Sequence, residues 1–325
     1  MSGATPIEPV SLEEIRAARR RIEGSVLRTP LIRLPLDSEE DVYLKLETLQ
    51  PIGSFKLRGA GNAMAMASSE ALARGVYTAS AGNMAQGVAW MARRRGLPCT
   101  VVVPEGAPKT KLSAIERLGA RIVPLPFASW WQVLVDHGLP GIEGLFIHPV
   151  SDPAVIAGNG TIGLEIVEDL PDVETVYVPY GGGGLSCGIA CAVGSLRPSA
   201  RVYACEVETA APLRASLDAG RPVSIVHTRS FVDGIGSGSL LPEMWPLARG
   251  VLAGSVVATL SEIAEAILLL ATRARVIAEG AGAASLAAAR KSARSGKSRG
   301  PTVCVVSGGN IDAETLAAIL RGDVP

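Results

Sequence analysis

The chain has 325 residues, 48% of them hydrophobic and 19% charged, which is length and apolar content for about two globular domains and excludes a disordered protein. Its 31 basic and 31 acidic residues cancel to a formal net charge of zero and are spread along the chain, so no basic field is present to hold nucleic acid or an anionic membrane surface. Met1 to Pro9 has no positive-then-apolar signal layout and no apolar run reaches the roughly eighteen residues that span a bilayer, so a cytoplasmic protein without a membrane partner is expected.

Ser11-Leu-Glu-Glu14 is a capping box, and Ile15, Ala18 and Ile22 follow at helical spacing, which predicts an opening helix. Short β-branched runs then alternate with helical ones. The strand candidates are Val42 to Leu46, Gly75 to Ala79, Cys99 to Val103, Arg121 to Leu125, Leu145 to Ile147, Thr175 to Val178, Arg201 to Cys205, Val256 to Thr259 and Thr302 to Val306. Several are continuously apolar, as strands buried on both faces should be. Met84 to Arg95 reads as a helix ending in arginines and Gly96, and Ser261 to Ala278 as a helix opened by a Ser cap and an acid. Strand–helix alternation predicts an α/β fold of mostly parallel sheets flanked by helices. A small domain is placed at residues 72–150, with 1–71 and 151–325 together forming a larger one. A last helix, Ala313 to Leu320, closes the chain soon after Ser307, which is taken to leave no room for a regulatory domain.

The five cysteines, Cys99, Cys187, Cys191, Cys205 and Cys304, sit mostly in apolar runs and read as reduced core thiols. Cys187 and Cys191 are the only close pair, and with three histidines in the chain no zinc pattern forms, so no metal is expected.

Four segments carry chemistry. In Leu44-Lys-Leu-Glu-Thr-Leu-Gln-Pro-Ile-Gly-Ser-Phe-Lys-Leu-Arg-Gly-Ala60 a turn-rich loop delivers Lys56 to a helix start, where the dipole opposes a cation and Phe55 and Leu57 would desolvate it. A lowered lysine pKa is what a Schiff-base amine needs, although an isolated lysine is ordinarily solvated. Ser80-Ala-Gly-Asn-Met-Ala-Gln-Gly87 follows an apolar strand and enters a helix, offering either an anion site for a carboxylate or a plain capped turn. Val178-Pro-Tyr-Gly-Gly-Gly-Gly-Leu-Ser-Cys-Gly188 contains four consecutive glycines, whose entropy cost a plain turn does not justify but a backbone phosphate cradle does. Val303-Cys-Val-Val-Ser-Gly-Gly-Asn310 ends a buried strand at the edge where open α/β sheets bind ligands, with Ser307 either a ligand contact or a helix cap. No Gly-Lys-Ser or Gly-Lys-Thr follows the glycines, and no frame across Gly181 to Gly184 completes a dinucleotide fingerprint, although Glu206 stands where a ribose-binding acid would in a nicotinamide enzyme.

Taken in this order the four segments resemble the serine/threonine dehydratase group of fold-type II pyridoxal phosphate enzymes, which includes serine racemase. Phe146-Ile-His-Pro149, Ile156 to Glu165, Val232-Asp-Gly234 and Glu279-Gly-Ala-Gly-Ala-Ala284 extend the resemblance from about residue 10 to the C-terminus. It implies a two-domain fold similar to the tryptophan synthase β subunit, a homodimer, pyridoxal phosphate as cofactor, a small amino acid as substrate, and dehydration of a β-hydroxy amino acid to a 2-oxo acid and ammonia. By the same resemblance Lys56 carries the cofactor and shuttles the proton, Phe55 flanks the ring, Asn83 meets its phenolic oxygen, and Gly181, Gly182, Gly183 and Gly184 with Leu185 hold the phosphate. Ser307 faces the pyridine nitrogen, Glu279 lies near the ring, and Ser80, Ala81, Gly82, Asn83 and Met84 receive the substrate.

Three departures bear on specificity. Ala81 stands where racemases carry a second serine, which disfavours racemisation. Met84 replaces a histidine common in relatives and, with Trp130 and Trp131, raises the expectation of a larger substrate such as a 3-aryl-3-hydroxy amino acid; the alternative is that all three are core residues. Pro212 stands where a cation loop beginning at Glu206 would place its second acid, so no tightly bound magnesium or calcium is expected. Within the same cofactor chemistry, β-replacement by a nucleophile and a catalytically silent cofactor-binding protein are the competing readings.

Overall fold

The computed structural model describes residues 5–36, 41–296 and 300–325, so Met1 to Ala4 of the opening segment lie outside the described residues. Its strands are β1 (Leu31–Arg33), β2 (Val42–Leu46), β3 (Val76–Ala79), β4 (Cys99–Pro104), β5 (Arg121–Leu125), β6 (Leu145–Phe146), β7 (Thr175–Pro179), β8 (Arg201–Val207), β9 (Gly254–Ala258) and β10 (Thr302–Val306). They form a six-stranded sheet in the order β1-β2-β10-β7-β8-β9 and a four-stranded sheet in the order β5-β4-β3-β6. Every pairing is parallel except β1 with β2. Strands β3, β7 and β10 are buried at every position, because helices cover both faces of a parallel sheet.

Register explains why distant segments meet. Val42–Leu46 lies opposite Thr302–Val306, and Cys304 also lies opposite Tyr177. The chain therefore leaves β2, β10 and β7 at one end of the large sheet, carrying Lys56, Ser307 and the glycines with it.

The capping box of the opening helix forms as expected, with the Ser11 side chain accepting from Glu14 N–H and the Glu14 carboxylate returning to Ser11 N–H. Two local expectations are corrected. The helix expected from Ser261 begins at Leu260 under a Thr259 cap, because Thr259 and Glu262 make the reciprocal box; it ends at Leu269 and passes through a π turn, Leu270–Ala274, to Arg275 at φ 62°. Strand β1 is added to the expected set: its three residues, set between Pro30 and Leu34, are too short to show a period. Among the described residues no helix is long and apolar enough to cross a membrane.

The helix Lys56–Met66 is fastened by buried charges. Arg58, 1% exposed, donates from Nε and Nη2 to the Glu47 carboxylate at 2.8 and 2.7 Å, and from Nη1 and Nη2 to Glu165 at 2.6 and 3.0 Å. Lys45 completes the cluster, donating to Glu165 and to the Thr29 carbonyl, each at 2.6 Å. Burial works against the Glu165 carboxylate, yet Arg58 and Lys45 outweigh it and hold its pKa below the ordinary range. Removing one partner strands charge out of reach of water. Arg58→Met is accordingly expected to lower stability by about 3–5 kcal/mol, read as a fall in the urea midpoint; an unchanged midpoint would mean that the cluster does not anchor the helix.

Candidate active site

Lys56 is the first residue of its helix, and the cap, Phe55, offers no side-chain hydrogen bond. The loop before it is stitched to the turn after β10. Phe55 N–H donates to the Ser307 carbonyl at 3.0 Å, Gly309 N–H to the Gly53 carbonyl at 2.9 Å, and the Asn310 amide to the Ile52 carbonyl at 2.8 Å. Ser307 and Lys56 are thereby held side by side although 251 positions separate them (307 − 56). Gly87 lets the helix Asn83–Arg94 lie against Lys56, since a Cβ there would stand 3.2 Å from the Lys56 carbonyl. The Lys56 ammonium donates to the Pro149 carbonyl at 3.0 Å and lies 5.1 Å from the centre of the Phe55 ring. Burial lowers its pKa to about 8, with the Glu279 carboxylate opposing the shift.

Asn83 opens the neighbouring helix and links two other segments. Its amide donates to Glu279 Oε1 at 2.8 Å, and its oxygen accepts from the Asn310 amide at 2.7 Å. Burial, with Asp233, pushes the Glu279 carboxyl up to about 7 against the Asn83 amide and the Lys111 and Lys56 cations. The same helix start has no side-chain cap: Ser80 Oγ accepts instead from Gly82 N–H at 3.2 Å, and the space where a Gly82 Cβ would stand is open. Ser80, Ala81, Gly82 and Asn83 thus border an accessible helix N-terminus that favours an anion.

The glycine run packs on the turn that follows β6. Gly183, at φ 98°, caps the helix Gly184–Leu196, in which Leu185 is buried. A Cβ on Gly182 would come within 2.6 Å of the Val150 side chain, and one on Gly184 within 2.8 Å of the Val150 carbonyl. The cradle is therefore shaped by one turn, Pro149 and Val150, which also receives the Lys56 amine.

The sequence-derived residues Lys56, Phe55, Asn83, Glu279 and Ser307 are linked by these contacts, and the glycines join them through the Pro149–Val150 turn. Met84 stands apart. It is 1% exposed in an apolar cluster with Leu57, Val88 and Ile147, so its side chain is a core residue rather than part of an open wall. Trp130 donates to the Val102 carbonyl at 3.2 Å and packs on Trp131 beneath the small sheet. Glu206 is spent structurally: its oxygens accept from Leu213 N–H and Arg214 N–H, both at 2.8 Å, and from Ser255 Oγ at 2.5 Å. Sequence reasoning missed Pro149 as the acceptor for Lys56, Val150 as the mould of the glycine loop, and Asn310 as the partner of Asn83. Asn310 closes the segment Val303 to Asn310, but a backbone carbonyl such as that of Pro149 has no sequence signature.

Residues 22–309 match the family model described as pyridoxal-phosphate dependent enzyme. The chain is 41% identical over 319 residues to the L-threonine ammonia-lyase of Thermotoga maritima, covering 96% of this chain and 78% of that one. It is 36% identical over 321 residues to the catabolic L-threonine dehydratase of Escherichia coli, covering 96% of each. Among solved structures, maize serine racemase superposes with a TM-score of 0.88 at 30% identity, covering 97% of this chain and 98% of that one.

The environment of Lys56 predicts its reactivity. When the protein without added aldehyde is acylated at a series of pH values and digested, the Lys56 peptide should be half-labelled near pH 8, where burial places its pKa. A midpoint near 10.5, the value for a solvated lysine, would show that the amine is not desolvated.

Proposed function

The chain belongs to the pyridoxal-phosphate dependent enzymes, and from that premise we propose that it is an ammonia-lyase that removes water and then ammonia from a small β-hydroxy amino acid of the serine or threonine type, leaving a 2-oxo acid. One observation carries the reading: a desolvated amine, a glycine cradle at a helix N-terminus and a buried neutral hydroxyl are linked through the same short turns, in a chain whose relatives bear ammonia-lyase and dehydratase names.

The residues fit the cofactor. Lys56 would hold its aldehyde carbon, with Phe55 beside it. Gly181 to Gly184 and Leu185 would hold the phosphate through the N–H groups at a helix start, and Gly182 and Gly184 can pack on the Val150 turn because neither carries a Cβ. Ser307 would face the pyridine nitrogen, Asn83 the ring oxygen, and Glu279 the ring edge. Bound there, pyridoxal phosphate supplies an electron sink for the pair left at the α-carbon when its proton departs.

The chain's own groups then divide the work. The uncapped helix start at Ser80 to Asn83 receives the substrate carboxylate and fixes which bond at the α-carbon faces Lys56. Lys56, a weak enough base to be substantially neutral near its pKa of about 8, takes the α proton. Ser307 has no charge with which to enforce protonation of the pyridine nitrogen, which limits build-up of negative charge and favours early loss of the β-hydroxyl. Ala81 has no hydroxyl to return a proton to the opposite face, which favours elimination over racemisation. Once released, aminoacrylate takes up water to give the 2-oxo acid and ammonia. An aryl substrate has no support, since the Met84 side chain is enclosed in the core.

Incubation of the purified holoenzyme with serine, threonine and phenylserine, with 2-oxo acid measured, tests this reading. Serine and threonine should outpace phenylserine, and Lys56→Ala should lose about 10²–10⁴-fold or more in rate, the scale of a general base. Inverted serine without 2-oxo acid, or phenylserine as the best substrate, would overturn it.

A further inference from the structure

Phe146-Ile-His-Pro149 leads out of β6 and is not otherwise used by the proposed chemistry. His148 is 2% exposed. Its Nε2 lies 3.1 Å from the Leu134 carbonyl oxygen in the helix Phe127–Val135, and its Nδ1 accepts from Val150 N–H at 3.0 Å and Ser151 N–H at 2.8 Å. These partners fix the tautomer: the carbonyl can only accept, so Nε2 bears the proton, and two converging N–H groups require a bare Nδ1. The ring stacks on His137 at 4.4 Å and meets the Phe146 ring edge-on at 5.7 Å. Burial, with His137 and Lys56, depresses its pKa to about 3, so it stays neutral at any working pH.

The turn clamped by these bonds is the one that serves both halves of the site. Proline has no N–H of its own to anchor it, so the orientation of the Pro149 carbonyl depends on the residues after it. That carbonyl receives the Lys56 amine at 3.0 Å, and Val150 fills the space against Gly182 and Gly184.

We propose that His148 is a positioning residue for cofactor binding: the bare Nδ1 of one neutral imidazole, whose ring also meets the Leu134 carbonyl through Nε2, clamps the Pro149–Val150 turn and so sets the Lys56 amine and the glycine cradle at a fixed separation. This rests on the reading of Lys56 as the amine that carries the cofactor.

The two nitrogens can be tested apart. His148→Asn places an amide oxygen at the Nδ1 position, able to accept from the turn but unable to reach Leu134. His148→Gln places its amide at the Nε2 position, able to donate to Leu134 but leaving Val150 and Ser151 N–H unpaired. His148→Ala does neither. Pyridoxal phosphate is titrated into each apoprotein, alongside the thermal midpoint and the pH midpoint of Lys56 acylation. The alanine and glutamine variants are expected to bind the cofactor roughly ten-fold more weakly, the scale of one unmade buried hydrogen bond, and to move the Lys56 midpoint. Asparagine is expected to restore both to near the wild-type values. Should the alanine variant fail to fold, the comparison of asparagine with glutamine still decides. Wild-type-like cofactor affinity in all the variants, whatever their thermal midpoints, would overturn the inference, as would rescue by glutamine and not by asparagine. Loading of the wild-type protein on a lysine other than Lys56 would instead overturn the underlying reading.

Discussion

Lys56 and Arg58 stand two residues apart in one helix, the first half-buried and the second fully buried, and their surroundings treat them in opposite ways. Arg58 is enclosed by the carboxylates of Glu47 and Glu165, so its charge is held and the helix is fixed to the turn that follows β2 and to the helix Pro153–Asp169. Lys56 meets a proline carbonyl, an aromatic face and the unfavourable end of the helix dipole, so its charge is easily lost. A free amine can serve as nucleophile or base only if it is both deprotonated and held still. The buried ion cluster supplies the second condition without interfering with the first, because its carboxylates are engaged by Arg58 and Lys45.

The parallel sheets do the rest of the assembly. Loops leaving the carboxyl ends of β2, β3, β7 and β10 bring the lysine, the helix start at Ser80 to Asn83, the glycines and Ser307 together from positions that span most of the chain. Contact between the walls passes through small groups: Gly308 leaves room for the Glu279 carboxylate, and Gly182 and Gly184 leave room for Val150. Each close approach is a place where any side chain would force the walls apart.

Features written in adjacent residues were legible beforehand. The apolar runs of β2, β5 and β10 matched their observed limits, the Ser11–Glu14 box formed, and the glycine run and Lys56 stood out because each costs something that ordinary structure does not repay. What escaped depends on partners far away in sequence. Arg58 and Glu165 are 107 positions apart, and either alone reads as a surface charge. The Pro149 carbonyl is backbone, invisible to any pattern of side chains. The resemblance puts Met84 among the substrate contacts, where relatives carry a histidine, with a core residue as the alternative, and its side chain lies in the core. Glu206 stands at a strand end where a ribose-binding acid would, and its oxygens instead accept from the first turn of the helix Pro212–Ala219 and from Ser255.

The account stands on a single covalent attachment, and peptide mapping after borohydride reduction of the protein loaded with pyridoxal phosphate tests it most directly. A phosphopyridoxyl mass confined to the peptide that contains Lys56 is the predicted result. The same mass on a different lysine, or a fully loaded protein that carries no reducible label at all, would contradict it.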